Sequence, residues 1–107
     1  EWENSKEALK NAASLSEKGT YFLELAKLYG SKKEWIVCSH SAKKAIEKGL
    51  SPNQQDEANF IIGKSLYNQG DFEVAKEHFL AISSKASFYD EARTWAKLIN
   101  EIDVTSF

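Results

Sequence analysis

Apolar residues return along this chain every three to four positions, the period of a helix packed on one face, and no stretch alternates as a half-buried strand would. Ala8, Leu9, Ala12 and Ala13 share one face of a first helix predicted from about Trp2 to Leu15. Gly19 is placed to end it and Thr20 to cap the next. That second helix, about Tyr21 to Lys32, carries the stripe Phe22, Leu25, Ala26 and Tyr29. Around Gly30 two signals compete: Ser31 and Glu34 have the spacing of a capping box, whereas the repeat spacing described below starts a third helix near Lys33 and runs it to Lys48. The repeat spacing is the stronger signal. Gly49 closes the third helix, and Ser51-Pro52 reads as an N-cap followed by a first-turn proline. The fourth helix reaches about Gln69, where Gly70 suits a left-handed end. Asp71 caps a fifth helix bearing Phe72, Ala75, Phe79 and Ile82; Ser87 and Asp90 cap a sixth, about Phe88 to Ile102.

Two series of short strings set a longer period. Leu25-Ala26-Lys27, Ile62-Gly63-Lys64 and Trp95-Ala96-Lys97 each read apolar, small, lysine, with the small residues 37 and 33 positions apart. Glu1-Trp2, Glu34-Trp35 and Asp71-Phe72 each place an acid before a ring, 33 and 37 apart. Small residues follow each ring: Ala8 and Ala12, then Cys38, Ala42 and Ala45, then Ala75. A period near 34 residues built from paired helices is the mark of a helical solenoid.

Composition narrows the function. A formal net charge of −2 argues against a nucleic-acid surface, which needs excess positive charge. The chain has 107 residues, of which 42% are hydrophobic, enough to bury one core. No apolar run approaches the roughly 18 residues of a membrane span, so no direct membrane insertion is expected. Cys38 is the single cysteine, which leaves no internal disulfide and fits a cytoplasmic or a periplasmic compartment. With no methionine at residue 1 and an opening in mid-repeat, the chain is expected to be part of a longer protein.

These residues resemble the tetratricopeptide repeat. The sharpest unit contains Ile62-Gly63, Leu66-Tyr67, Gln69-Gly70-Asp71-Phe72, Ala75, Phe79 and Ile82, although Asn59 stands where the family has tryptophan and Ser87 where it has proline. The resemblance implies an all-α fold of about six helices, in antiparallel pairs stacked as a right-handed solenoid. Residues 1–18 would be the second helix of a preceding repeat, 19–55 and 56–88 two repeats, 89–102 a capping helix and 103–107 a tail. The first helix, lacking its partner, is expected to be exposed, covered by upstream chain, or used in self-association.

In this family the first helix of each pair lines a concave groove for a peptide or protein. Carried over, the groove residues are Thr20, Leu23, Lys27 and Ser31; Glu57, Phe60, Lys64, Tyr67 and Asn68; and Arg93 and Lys97. Lys27, Lys64 and Lys97 occupy equivalent positions, so a ladder of ammonium groups would favour an acidic segment or a free C-terminal carboxylate. Lysine is also the ordinary filler of a solvated helix face, and a ladder with no ligand is the competing reading. Phe60 and Tyr67 share a face, as groove anchors or as packing between repeats. Leu23, Glu24, Glu57, Phe60 and Ile61 stand where the chaperone-binding members carry their clamp, so a chaperone C-terminus is not the expected partner.

Catalysis has little support. His40 and His78 are the only histidines, and Cys38 and His40, two apart, point to different sides of a helix, which suits neither a nucleophile and base nor a metal. Cys38 fits a packing position, and no cofactor is expected. The reading is a binding module; the alternative is a structural segment of a longer solenoid that serves self-association or assembly. A narrower resemblance, carried by residues 41–50, 66–72 and 95–99, is to the C-terminal repeats of bacterial proteins encoded beside TonB–ExbB–ExbD systems, and implies a periplasmic location.

Overall fold

A computed structural model describes residues 18–105. Five α-helices account for most of them: α1 (Gly19–Ser31), α2 (Trp35–Lys48), α3 (Pro52–Gln69), α4 (Phe72–Leu80) and α5 (Tyr89–Thr105). Among the described residues there is no strand. The helix expected near Trp2 to Leu15, and the expectation of self-association through it, lie outside the described residues.

Local chemistry explains where the helices stop. Ser51 and Gln54 form the reciprocal cap: the Gln54 N–H donates to Ser51 Oγ (3.3 Å) and the Ser51 N–H to Gln54 Oε1 (3.2 Å). Pro52 occupies the first turn, where its missing N–H leaves nothing unpaired. Gly70, at φ +87°, ends α3, and the Asp71 N–H turns back to the Leu66 carbonyl at 2.9 Å.

Several expected boundaries move, and α4 stops at Leu80, so Ile82, expected on that helix, lies beyond its end while still buried in the core. Gly19 does not end a helix but opens α1, with Lys18 and not Thr20 at the N-cap, so Thr20 lies inside the first turn. A Cβ on Gly19 would lie 2.6 Å from the Ala45 carbonyl oxygen and would also overlap Gly49, so glycine is there for close approach to the end of α2. Neither start expected near Ser31 to Lys33 occurs. Lys33 sits at φ +60°, the Glu34 N–H closes α1 on the Tyr29 carbonyl, and Ser31 Oγ donates back to Leu28. Helix α2 therefore begins at Trp35. Helix α5 starts one residue later than expected, because Ala92 bonds to Phe88 and makes Phe88 the N-cap, and it continues past Ile102 to Thr105 through residues with no glycine or proline to stop it.

Each helix packs on the next, and α1 also packs on α3. The start of α1 meets the end of α2 through Gly19 and Ala45, and its end meets the start of α2 through Gly30, Trp35 and Cys38, so the two run antiparallel. Helices α3 and α4 do the same, through Tyr67 and Phe72 at one end and Asn59 and His78 at the other. Helices α1 and α3 run in the same sense: Lys27 meets Glu57, and further along Ser31 shares a cavity with Lys64 and Ser65.

Small residues allow this spacing. Ala26, Ala42, Ala58, Ala75 and Ala92 are fully buried, and the fully buried Phe79 fills the gap that Gly63 leaves. A Cβ on Gly63 would lie 2.8 Å from two atoms of that ring. Phe79 also stacks on Trp95 at 5.6 Å and 11°, joining α3, α4 and α5 in one core. A ring so buried contributes about 1.5–3 kcal/mol of apolar stabilisation.

Candidate functional site

A cavity of about 310 Å³ opens between α1, α2 and α3. Lys27 and Ser31 from α1 and Lys64 from α3 line it; Trp35 and Cys38 enter from α2, and Ile61 and Ser65 complete it. Gly30 helps to open the space, since a Cβ there would stand 3.3 Å from the Cys38 sulfur. Three of the groove residues expected from the sequence thus come together.

The two lysines differ in how far their charge is already paired within the chain. Lys27 Nζ lies 2.8 Å from Glu57 Oε2 and 3.1 Å from Glu24 Oε2. Its pKa is raised, first by the Glu57 hydrogen bond, against an opposing burial effect. Its charge is already met by carboxylates of this chain. Lys64 instead sits over the Phe60 ring, 5.2 Å from the centroid, and no carboxylate bridges it among the described residues.

The other expected groove residues scatter. Thr20 is exposed on the first turn of α1. Leu23 is 1% exposed, clustered with Ala45 and Ala58, and presents no surface to a ligand; although outside the expected stripe, it packs into the α1–α2–α3 seam rather than the groove. Phe60 is partly buried against Phe79 (5.8 Å) and Phe88 (5.0 Å). Tyr67 packs edge-on to Phe72 (5.3 Å) and Trp95 (4.8 Å). Both aromatics therefore contribute to packing between helices. Exposed Asn68 donates to the Lys64 carbonyl at 2.8 Å. Arg93 and Lys97 line a separate recess between α4 and α5, together with Lys76 and Leu80.

Trp35, Cys38, Ile61 and Ser65 were not among the groove residues read from the sequence. Gly30 carried a usable signal for two of them, because a missing Cβ one helical pair away marks a place where a neighbour can come close. Lys76 belongs to α4, outside the helices that the family pattern assigns to a groove, and carried no such signal.

Cys38 is buried at 1% exposure. Its thiol lies 3.2 Å from the Ala26 carbonyl, which it can donate to, and Ser65 Oγ lies 3.1 Å from the sulfur and 2.8 Å from the Ile61 carbonyl, with one proton to share. Burial pushes the thiol pKa up, while the Ser65 contact and the Lys64 charge pull it down less. A neutral, enclosed thiol is a packing group and a poor nucleophile. Among the described residues no three of His, Cys, Asp and Glu converge as metal ligands, and no helix is long and apolar enough to cross a membrane. No family model, curated protein or solved structure matches the chain.

Proposed function

We propose that this chain is a protein-interaction module with a tetratricopeptide-like, right-handed solenoid arrangement, and that its α1–α3 face takes an acidic segment or the C-terminal carboxylate of a partner. The antiparallel pairs α1–α2 and α3–α4, the common sense of α1 and α3, and the glycine-mediated approach at Gly63 support the architecture. One observation carries the ligand chemistry. Lys64 stands at the cavity with no carboxylate of its own among the described residues, while Lys27 beside it is already paired. An incoming carboxylate gains a charge-assisted hydrogen bond there without displacing an internal partner.

The test is fluorescence anisotropy with peptides ending in Asp or Glu, each as free acid and as amide. K64E should weaken binding about tenfold or more, as a reversed interfacial charge does, with helicity unchanged. Equal binding by K64E would remove the cavity from the proposal.

A second reading, an assembly segment of a longer solenoid, draws on Ile36 and Val37. They are 64% and 39% exposed at the start of α2. Concentration-dependent association in ultracentrifugation, lost in I36S/V37S, would favour it. The narrower resemblance extends the first reading to a periplasmic partner in an energy-transduction assembly; fractionation of the source cells tests that location.

A further inference from the structure

The recess between α4 and α5 has a volume of about 370 Å³ and is lined by three cations and one exposed leucine: Lys76, Arg93, Lys97 and Leu80, with Ala96 and Asn100. Lys76 and Leu80 stand one turn apart on α4, and Arg93, Lys97 and Asn100 follow one another by single turns on α5, so two rows of side chains face one another. The α5 row spans about 10 Å at the helical rise. Asn100 Oδ1 accepts from Lys76 Nζ at 2.9 Å and ties the rows together. Leu80 is 47% exposed.

The charge is unbalanced. Among the described residues no carboxylate lines the recess, although the whole chain is acidic by two charges. Arg93 lies over the Tyr89 ring at 5.9 Å, an arrangement that fixes the guanidinium without neutralising it. Lys97 has no ion pair among the described residues. This differs from the α1–α3 cavity, where Lys27 is held by two glutamates.

We infer that the α4–α5 recess is a second docking site, for an acidic peptide segment that inserts one apolar side chain against Leu80 and pairs its flanking carboxylates with Lys76, Arg93 and Lys97. Charge complementarity decides the sign of the occupant. Leu80 in the lining decides the rest: a bare anion gains nothing from covering a leucine, whereas an apolar anchor flanked by carboxylates satisfies both features. A nucleic-acid strand would need a longer basic track than one recess of this length offers.

The site does not depend on the α1–α3 proposal, and the experiment separates them. The probe is a synthetic peptide with one leucine flanked by glutamates. Its controls are the same peptide with lysine for every glutamate and with serine for the leucine, and inorganic phosphate. Amide shifts of the isotopically labelled chain report the site. The expected result is shifts centred on Leu80, Arg93, Ala96 and Lys97, unaffected by K64E and weakened about tenfold or more by R93E/K97E and by L80S, the size of losing an interface anchor. All three substituted positions are solvent-facing, and circular dichroism checks that the fold is kept. Shifts confined to the α1–α3 cavity, equal binding by the lysine or serine peptide, or full displacement by phosphate would each overturn the inference.

Discussion

Lys27 and Lys97 stand at matching places in their repeat strings, yet the folded chain gives them opposite situations. Lys27 is bridged to Glu24 on its own helix and to Glu57 across the α1–α3 seam. Lys97 faces a recess with two other cations and, among the described residues, no acid in its lining. The same residue type in the same register is thus an internal strut in one region and an open charge in the other. What separates them is the neighbour across the helix seam: Glu57 on α3 in one case, Lys76 on α4 in the other. A lysine ladder read from spacing alone treats these as equal; the residue one turn back on the same helix, Glu24 against Thr94, and the facing residue across the seam tell them apart.

The largest expected effect tests whether the two regions form one cooperative unit. Phe79 fills the space at Gly63 and stacks on Trp95, so it links the α3 wall of the cavity to α5. Phe79→Ala should cost about 3–5 kcal/mol in denaturant unfolding, with α1 and α5 losing structure together. Loss of α4–α5 alone, with the α1–α3 cavity intact by hydrogen exchange, would make the two regions independent.

Gly63→Ala should be milder. The methyl gains about 1 kcal/mol of helix propensity. It must displace a ring that is locked between Phe60 and Trp95, and overpacking of that kind costs about 1–3 kcal/mol. The net expectation is destabilisation in thermal or urea unfolding; a stabilised variant would show that the α3–α4 spacing can relax.

Glu57→Gln sharpens the comparison directly. It removes the closer carboxylate from Lys27 and should make the first cavity resemble the second, raising affinity for acidic peptides at the α1–α3 face about threefold to tenfold, the range of one added interfacial charge. Unchanged affinity would mean that Glu24 alone still holds the ammonium. The stability cost should be small, about 0–1 kcal/mol, because the pair is partly exposed to solvent.

The smallest effect concerns pH. His78, at the α3–α4 seam between the regions, lies 2.9 Å from Asn59 Oδ1, and its pKa is lowered, first by burial and then by the Lys43 charge, with Glu77 opposing. The folded state therefore binds its proton less readily than the unfolded chain. Stability from this group is fully present above the unfolded value of 6.5 and is lost as pH falls from there through the folded pKa. Urea midpoints at pH 7.5 and 5.5 should differ less in H78Q than in the natural chain. An equal difference in both would assign the pH dependence to other groups.

The positions of the five described helices, and several of their ends, were legible in the residues alone. Apolar periodicity located α1 to α5, and Ser51-Pro52 and Gly70 marked boundaries that the structure keeps, because caps and left-handed glycine ends act through bonds within a few residues. Gly63 stood in the sequence as the small residue of its string; the structure shows the Phe79 ring that presses on it, and a glycine in a helix interior is costly unless something does. Gly19, Lys33 and Leu23 were not legible. Gly19 answers to carbonyls beyond its own helix, Lys33 takes a left-handed turn that closes α1, and Leu23, outside the expected stripe, is buried because Ala45 and Ala58 of two other helices meet it. The division of the lysines was likewise set by tertiary structure. Spacing places an ammonium on a helix face, but its electrostatic field depends on the charge a few ångströms away across a seam, and that neighbour is chosen by how the helices pack.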